Sequence, residues 1–373
     1  MEKPLLEIEG LVLRFYTYEG VVEALDEVDL TLMEGETLGV VGETGCGKSV
    51  TGLSSLDLVP PPGRIEAGKV ILRRRDKKYD LLDQKDAFLR SVRGKDVSMI
   101  FQDPRSSLNP VYSVGDQITE VLLLHRRVEM CQQILQEKKL SRFDKYIYFH
   151  ILTNPRSIVV RFLSNIPIVN LFRRRINSLA WKEAVEILRS MRIPDPERVM
   201  GMYPHELSGG MAQRAVIAMA LACNPTILIA DEPTTNLDVT VQFQILSLIR
   251  ELKAKYGSSI LYITHDMGVV AEICDRVAVM YAGNVVEIAE VHEIFKNQMH
   301  PYTKGLLESI PRAGHPFKPI EGTVPTLIDP PKGCRFNDRC PHAMDICVKL
   351  KPKLVEAEKG HFVACHLFGR GLA

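Results

Sequence analysis

The chain has 373 residues, of which 46% are hydrophobic and 25% charged, as is typical of a globular protein with a substantial core. Lys and Arg number 47 against 46 Asp and Glu, so the overall charge does not point to a nucleic-acid partner. The opening residues lack the layout of a signal peptide, and the apolar runs are shorter than the ~20 residues of a membrane span. We therefore expect a cytosolic protein of about two to three domains.

Short apolar runs alternate with segments of helical periodicity along most of the chain. Leu5–Phe15 and Val21–Leu32 have apolar residues near period two, which predicts two strands joined by a turn. Four shorter runs have the composition of buried parallel strands: Thr37–Val41, Val97–Phe101, Ile227–Ala230 and Ile260–Thr264. Helical periodicity is found at Val114–Leu124, Trp181–Met191 and Val239–Leu252. This alternation of strands and helices predicts an α/β core.

The segment GETGCGKS, residues 42–49, matches the phosphate-binding pattern G-x-x-x-x-G-K-[ST] in full. It lies between a predicted strand and a predicted helix, where backbone N–H groups of a glycine-rich loop can surround phosphate oxygens. Lys48 is expected to reach the β- and γ-phosphates, and the Ser49 hydroxyl to bind Mg²⁺. The predicted nucleotide-binding residues of this loop are Gly42, Glu43, Thr44, Gly45, Cys46, Gly47, Lys48, Ser49 and Val50.

Two acidic residues follow another predicted buried strand. The run TILIAD ends in Asp231, a candidate for the Mg²⁺ shell, and Glu232 comes directly after it. A carboxylate beside the metal can orient or deprotonate an attacking water molecule. Together with the phosphate-binding loop, this pair predicts hydrolysis of a nucleoside triphosphate.

Further motifs give a family resemblance. LSGGMAQR, residues 207–214, resembles the signature motif of ABC ATPases, with Met211 where Gln is more usual. Gln102 in FQDP, residues 236–238 after DEPTT, and His265 in ITHD are similar to the Q-loop, D-loop and switch histidine of that family, in the same order. The resemblance covers nearly all of residues 5–290.

The resemblance implies an ABC-type P-loop ATPase: a RecA-like parallel-sheet core with an antiparallel β-subdomain and a helical subdomain at about 103–223. It implies a head-to-tail dimer in which Ser208 and Gly210 contact ATP bound to the opposite subunit. The implied catalytic residues are Glu232, His265, Gln102 and Lys48. The implied Mg²⁺ contacts are Ser49, Gln102 and Asp231, and further nucleotide contacts are Ser208, Gly209, Gly210 and Asp238. Phe15 is expected to stack on adenine, with Tyr18 as the alternative.

Four stretches narrow the resemblance to the ATP-binding subunits of dipeptide and oligopeptide importers: residues 101–118, 203–211, 300–311 and 333–367. The resemblance implies two permease subunits, a second and different ATPase cassette, an extracytoplasmic solute-binding protein and a place at the cytoplasmic face of the membrane. Relatives also import nickel or short oligosaccharides. A soluble ABC ATPase acting on nucleic acid or ribosomes is a further alternative. Sustained heptads are absent and the sequence contains a single phosphate-binding loop, so we expect no nucleic-acid partner.

Beyond the ATPase domain, predicted over 1–290, the sequence predicts a helical and Pro-rich linker at 291–332 and a Cys-rich extension at 333–373. That extension holds Cys334, Cys340, Cys347 and Cys365 in the spacing C-x5-C-x6-C-x17-C. Four thiolates suit Zn²⁺ or an iron–sulfur cluster, and the wide spacing is less typical of structural zinc. An unmetallated or disulfide-bonded state is a further alternative. The resemblance implies a [4Fe–4S] cluster, with Zn²⁺ as the alternative metal.

Residues 127–177 resemble no part of the family and are interpreted as a basic insertion. From Arg126 to Asn177 the chain has eleven Lys or Arg residues and three acids, interspersed with Phe and Tyr. This mixture suits an interfacial amphipathic element, which predicts contact with the membrane surface or a cytoplasmic permease loop. A helical hairpin packed on its own subdomain is the alternative.

Overall fold

The computed structural model of the chain describes residues 3–74, 76–136, 167–235, 237–310 and 319–368, with the backbone alone for 167–173. The chain divides into two compact units. The first unit comprises residues 1–89, 229–232 and 250–373, and the second comprises 90–228 and 233–249. The helical subdomain predicted at about 103–223 falls inside the second unit.

The elements have the following bounds. The strands are β1 Pro4–Thr17, β2 Gly20–Met33, β3 Thr37–Val41, β4 Gly63–Arg74, β5 Lys77–Asp80, β6 Val97–Ile100, β7 Ile227–Asp231, β8 Ser259–Thr264, β9 Arg276–Tyr281, β10 Asn284–Glu290, β11 Val355–Glu358 and β12 His361–Val363. The helices are α1 Lys48–Ser54, α2 Asp86–Val92, α3 Pro104–Ser107, α4 Val114–His125, α5 Arg127–Gln136, α6 Pro167–Ser190, α7 Pro196–Val199, α8 Gly209–Leu221, α9 Val239–Tyr256, α10 Met267–Ile273, α11 Val291–Lys296, α12 Pro301–Glu308 and α13 Asp345–Lys349.

The first unit contains a four-stranded antiparallel sheet in the order β2-β1-β4-β5. The two long predicted strands are confirmed as β1 and β2, which meet at a two-residue turn between Thr17 and Gly20. Leu11 and Leu13 of β1 and Leu25 of β2 are completely buried. Alternating burial along both strands therefore fixes which sheet face is the core face, since a one-residue slip would expose these leucines.

A second, mixed sheet forms the core of the first unit, where its strands run in the order β11-β12-β10-β9-β3-β8-β7. Strand β3 lies parallel to both β8 and β9, and all five of its residues are buried. A strand covered on both faces reads as a continuous apolar run, which is why the sequence predicted it. The parallel pairing of β3 with β8 brings their carboxyl ends to the same edge of the sheet, and the hydrogen bond from Ser49 to Asp231 places the end of β7 there too.

The segment with the four late cysteines lies in the first unit. Its hairpin, β11 and β12, adds two antiparallel strands to the mixed sheet beside β10. A 3₁₀ turn, Asn337–Arg339, and helix α13 precede that hairpin. The polypeptide that carries the cysteines is thus hydrogen-bonded to the sheet from which the phosphate-binding loop emerges.

In the second unit, short polar side chains begin the helices. The Ser113 hydroxyl accepts a hydrogen bond from the Asp116 amide at 3.1 Å, and Ser208 does the same for the Met211 amide at 3.3 Å, capping α4 and α8. Helix α4 packs against α6, where a Cβ added at Gly115 would lie 2.7 Å from the Trp181 ring. Glycine at this position therefore lets the indole lie against the α4 backbone.

The central part of the basic insertion, residues 137–166, lies outside the described residues, and its predicted membrane contact stays a prediction. Helices α5 and α6 give the two ends of the insertion. Part of the Pro-rich segment, 311–318, also lies outside the described residues. Within the described parts of the chain, no helix combines the length and the apolar character needed to cross a membrane.

Replacing Gly115 by Ala is expected to destabilise the second unit. The new methyl group would meet the Trp181 ring and the Met200 carbonyl, each at 2.7 Å. Overpacking of this kind costs about 1–3 kcal/mol, and the displaced indole should shift its emission. Thermal unfolding and tryptophan fluorescence measure both effects, because Trp181 is the single tryptophan of the sequence.

Gly201→Ala is the matched control, since its Cβ would meet only the Arg198 carbonyl oxygen at an ordinary 3.6 Å. Equal stability and equal emission of the two variants would contradict the packing described for α4 and α6.

Candidate nucleotide-binding site

The loop between β3 and α1 is shaped by glycines that no larger residue can replace. Gly42, at φ 153°, has the Met280 carbonyl oxygen 2.1 Å from where a Cβ would be. Gly47, at φ 103°, has the Ala24 carbonyl oxygen 2.9 Å from its Cβ position. The loop backbone therefore lies directly against neighbouring backbone, and its curvature is fixed.

Lys48 is held inside this loop. Its side chain is 5% exposed, and its ammonium group donates to the carbonyl oxygens of Gly42 at 2.8 Å and Glu43 at 2.9 Å. Its Nζ also lies 3.8 Å from Cys46 Sγ. A cation that is almost fully buried and has no carboxylate among these partners remains a good partner for an anion. The phosphate role of Lys48 stays a prediction.

Ser49 and Asp231 lie together at the carboxyl ends of β3 and β7. The Ser49 hydroxyl donates to Asp231 Oδ1 at 3.0 Å. Burial raises the pKa of Asp231 to about 6, the Ser49 hydrogen bond and Lys48 oppose the shift, and the Glu232 carboxylate adds to it. An adjacent hydroxyl and buried carboxylate are the oxygen ligands that Mg²⁺ takes in nucleotide sites, so the residues present fit that ion.

Glu232 and His265 form the next pair along the same edge of the sheet. His265 Nδ1 lies 3.1 Å from Glu232 Oε1, and the Glu232 amide donates to the Ile263 carbonyl oxygen at 2.9 Å. Glu232 has a φ of 44°, in the left-handed region that a residue with a Cβ seldom adopts. Backbone strain of this kind is retained where the surrounding structure holds a side chain in a particular direction. Here it directs the carboxylate toward His265.

Two aromatic candidates for the adenine occupy different environments in β1 and its turn. Phe15 pairs with Val22 and lies against Gly63, where an added Cβ would be 2.7 Å from the ring. Tyr18 is at the tip of the turn and is 97% exposed. Stacking of Phe15 on adenine, with Tyr18 as the alternative, stays a prediction.

The signature and D-loop positions lie in the second unit. A cavity of about 490 Å³ is bounded by Ser208, Gly209, Gly210 and Asp238. The Asp238 carboxylate accepts from the Val241 amide at 2.9 Å and so begins α9. A Cβ added at Gly209 would meet nothing within 4 Å. The first turn of α8 is thus open at Gly209, whereas a Cβ added at Gly210 would lie 3.2 Å from Val241. Asn236, the first residue of the predicted D-loop, lies outside the described residues.

Gln102 follows β6, and its side chain is exposed. It lies in the second unit, as do Ser208 and Asp238, whereas the phosphate-binding loop, Asp231, Glu232 and His265 lie in the first. The first-unit residues form one continuous group at the sheet edge. The role predicted for Gln102 as a Mg²⁺ contact stays a prediction.

Two residues that the motifs did not predict contact the phosphate-binding loop. The Tyr302 hydroxyl accepts from the Glu43 amide at 2.9 Å. Arg339 donates through Nη1 to Glu43 Oε2 at 2.7 Å and through Nη2 to Oε1 at 3.1 Å. Both residues lie more than 250 positions away along the chain, and no spacing rule connects them to the loop.

The four late cysteines form none of the disulfides that their number allows, and all are free thiols. Burial raises the pKa of the Cys334 thiol to about 11, and the Cys347, Cys365 and Cys340 thiols raise it further. The Cys334 amide donates to the Cys347 carbonyl oxygen at 2.7 Å. Four neighbouring thiols of the same segment fit a metal centre of sulfur ligands.

The spacing of the sulfurs bears on which metal fits. Tetrahedral zinc with bonds of about 2.3 Å brings its sulfurs to roughly 4 Å of one another. Within the described residues, the group of donors that all lie within 4.8 Å of one another is Glu293, Glu358 and His361, and it includes none of the four thiols. The metal that the four thiols hold, if any is bound, stays a prediction.

Two family models match the chain. Residues 25–235 match that of the ABC transporters, and residues 286–347 match the C-terminal region of oligopeptide/dipeptide transporters. Among solved structures, a dimeric ATP-binding cassette in a post-hydrolysis state with ADP and Pi has a TM-score of 0.55. It shares 23% identity and covers 77% of this chain and 98% of its own, a likeness that shows the fold alone.

Curated relatives match over nearly their whole length. A probable peptide ABC transporter ATP-binding protein of Sinorhizobium fredii is 44% identical over 97% of this chain and 94% of its own. A dipeptide transport ATP-binding protein of Bacillus subtilis is 43% identical, with 98% and 95% covered. An oligopeptide transport ATP-binding protein of Salmonella typhimurium is 41% identical, with 97% and 93% covered.

The fold, the phosphate-binding loop and the acidic strand end define a P-loop ATPase of the cassette type, as the sequence predicted. The chain belongs to the ABC transporter family and carries the C-terminal region of its oligopeptide and dipeptide transporters. ATP-binding subunits of this family are ATPases coupled to transport. The family resemblance taken from the motifs is thereby confirmed.

Asp231→Asn is expected to raise the stability of the Mg²⁺-free protein at neutral pH. Because the pKa of Asp231 rises from 3.8 unfolded to about 6 folded, its carboxylate destabilises the fold fully above pH 6. The resulting difference in the free energy of unfolding is about 3 kcal/mol, and it decreases as the pH falls toward the pKa of 3.8 in the unfolded chain. Thermal unfolding at several pH values measures it. A variant no more stable than wild type at pH 7.5 would contradict the burial of this charge.

Proposed function

We propose that this chain is the ATP-hydrolysing subunit of an importer that takes up di- or oligopeptides through separate permease subunits. The observation that carries the proposal is that the chain combines a hydrolytic site with the C-terminal region of oligopeptide/dipeptide transporters. The Ser49–Asp231 and Glu232–His265 pairs lie beside the phosphate-binding loop, and residues 286–347 match that C-terminal region. The names of the relatives at 41–44% identity support peptides as the solute.

The residues of the first unit account for the chemistry of hydrolysis. Lys48, whose ammonium group already lies inside the loop, is placed to contact phosphate oxygens when ATP enters. Ser49 and Asp231 are the residues that would hold Mg²⁺, which supplies charge neutralisation at the β- and γ-phosphates. The raised pKa of Asp231 reflects the destabilisation of its charged form by burial, and a bound cation would offset that destabilisation.

Glu232 is the proposed general base. Its carboxylate accepts a proton from a water molecule whose oxygen attacks the γ-phosphorus, while the bond from that phosphorus to the β–γ bridging oxygen breaks and ADP leaves. His265 Nδ1 holds the carboxylate in the direction the attack requires. The proton then passes from Glu232 to solvent, and the carboxylate is ready for another turnover.

We further propose that two cassettes enclose ATP in a head-to-tail dimer, with a different cassette as the partner. Ser208 and Gly210 at the open start of α8 would then contact the phosphate of the ATP held by that partner, and Gln102 would relay its state. Two permeases and an extracytoplasmic solute-binding protein complete the importer, with this chain at the cytoplasmic face of the membrane.

For the four thiols we propose a [4Fe–4S] cluster, with Zn²⁺ as the alternative. Four free cysteines within one segment, close enough to raise one another's pKa, support a sulfur-ligated centre. The absence of a tight group of three sulfurs among the described residues favours the cluster over zinc. Its proposed effect is to hold the C-terminal segment in one conformation.

ATP-driven uptake into vesicles is the test of the transport function. The complete importer, isolated from native membranes with its partners and reconstituted, should accumulate labelled di- or oligopeptides when ATP is on the cytoplasmic side. Glu232→Gln should bind ATP and keep the dimer closed, with turnover reduced about 10²–10⁴-fold. Lys48→Ala should lose ATP affinity first, because it removes ground-state phosphate contacts.

Glu34→Gln, an exposed acid of the same unit, is the control for loss of one negative charge. Uptake of nickel or oligosaccharides but not of peptides would assign another solute. Recovery of ribosomes or nucleic acid without permeases would overturn the transport function, and normal hydrolysis by Glu232→Gln would remove that residue from the base role.

The proposed cluster is tested by metal content. Cys347→Ser should lose most of the iron and acid-labile sulfide of the anaerobically purified chain, together with its visible absorption. Cys223→Ser, which removes a half-buried thiol outside the group, is the matched control. One zinc and no iron per chain would establish the zinc alternative.

A further inference from the structure

Three contacts from distant parts of the first unit converge on one residue of the phosphate-binding loop, Glu43. The Tyr302 hydroxyl accepts from its amide, Arg339 binds both oxygens of its carboxylate, and its carbonyl oxygen accepts from Lys48. We call Glu43, Tyr302 and Arg339 the Glu43 clamp. Every polar group of Glu43 is thus engaged inside the protein, at the position where the loop leaves β3.

Tyr302 is a fixed anchor. It is completely buried, at the start of α12, where the His300 ring accepts from its amide at 3.0 Å. Its ring packs against Tyr281 at 4.6 Å and Phe336 at 5.4 Å between centroids. Burial raises the pKa of its phenol, so the hydroxyl stays protonated at every physiological pH. A rigid neutral hydroxyl therefore receives the Glu43 N–H.

Arg339 is equally constrained. Its side chain is 6% exposed, its guanidinium lies over the rings of Tyr281 and Phe336, and its Nε donates to the Glu321 carbonyl oxygen at 2.9 Å. The paired hydrogen bonds to the Glu43 carboxylate raise the pKa of Arg339. A two-pronged charged pair with little solvent screening fixes distance and direction together.

We propose that Arg339 and Tyr302 are positioning residues for ATP binding, holding Glu43 so that the loop and Lys48 are arranged for the triphosphate before it arrives. The inference rests on the proposed function for the identity of the nucleotide. Lys48 donates to the carbonyl oxygens of Gly42 and Glu43, so the backbone that the Glu43 clamp holds is the backbone that holds the ammonium group. A loop already in its binding shape loses less conformational entropy on binding.

The same geometry connects the clamp to the four thiols. Arg339 ends the turn Asn337–Arg339 and directly precedes Cys340. The Asn337 amide and side chain both donate to the Cys334 carbonyl oxygen, at 3.0 and 2.6 Å, and the Cys340 amide donates to Asn337. The turn that carries Arg339 is therefore bounded by two of the thiols. We therefore expect ATP affinity to depend on whether a metal centre links the four thiols.

The test is the affinity of the anaerobically purified full chain for a fluorescent ATP analogue, together with steady-state ATPase kinetics of the complete importer that contains it. Arg339→Ala should weaken binding about tenfold or more, as expected for loss of charged hydrogen bonds in a shielded site. It should raise KM while leaving kcat nearly unchanged. Arg339→Lys keeps the positive charge but loses the paired hydrogen bonds of the guanidinium, so its ATP affinity should lie between those of Arg339→Ala and the wild type. Lys359→Ala, at the exposed tip of the β11–β12 turn, controls for loss of a positive charge.

A double-mutant cycle separates positioning from general destabilisation. Glu43→Gln should weaken binding like Arg339→Ala, and the double variant should be no worse than either, because both remove one interaction. Cys340→Ser should give the same loss with the metal centre gone, measured by iron content and by affinity. Thermal unfolding identifies any variant that fails to fold. In that case the ATP affinities of Arg339→Lys and Glu43→Gln test the positioning role.

Affinity within twofold of wild type for Arg339→Ala and Glu43→Gln, or strictly additive losses, would overturn the Glu43 clamp. Unchanged affinity in Cys340→Ser would overturn its connection to the thiols. A wild-type chain that binds no ATP would instead overturn the proposed function, so the two failures are distinguishable. Peptide uptake enters none of these measurements.

Discussion

The structure of the nucleotide site depends on how closely the phosphate-binding loop approaches its neighbours. At Gly42 the backbone comes so near the Met280 carbonyl that a Cβ would lie 2.1 Å from its oxygen. This contact places the end of β3 against β9, and the parallel pairing of β3 with β8 then sets where Thr264 and the residues after it emerge. The Gly283 amide also donates to the Cys46 carbonyl oxygen of the loop at 2.9 Å, which holds the loop beside the adjacent strand ends.

Desolvation gives those groups their chemical character. Asp231 is buried beside Ser49 and has a pKa raised to about 6, whereas His265 next to Glu232 is half open to solvent. A buried carboxylate that is poorly solvated binds a cation strongly, and one beside an open histidine can exchange protons with water. The two adjacent acids differ in their partners, since Asp231 contacts the Ser49 hydroxyl and Glu232 contacts the exposed His265 ring, and this difference supports the separate tasks proposed for them.

Local patterns predicted the parts of the fold that depend on neighbouring residues. The predicted strands are β1, β2, β3, β6, β7 and β8, and the loop motif lies between β3 and α1 as expected. The sequence analysis missed β9, although it is a buried apolar run like β3, and the adjoining β10. It did not predict β4, β5 or the β11–β12 hairpin, because much of β4, β5 and β11 is exposed or half-buried and β12 has only three residues. Arg339 and Tyr302 were missed because they contact Glu43 from a distant part of the chain. An ion pair between residues 296 positions apart leaves no periodic signal in the sequence.

That separation has a consequence for the order in which the molecule is made. Synthesis proceeds from the N-terminus, so Glu43 and the glycine loop emerge long before Arg339, and the last strand of the mixed sheet, β12, ends at Val363. A ribosome-bound chain with its first unit half made has the loop sequence without the partners that hold it. Contacts of such long range also slow folding, since the chain must close a large loop first. If the Glu43 clamp positions the loop as proposed, the loop reaches its final arrangement only after the C-terminal segment has been made.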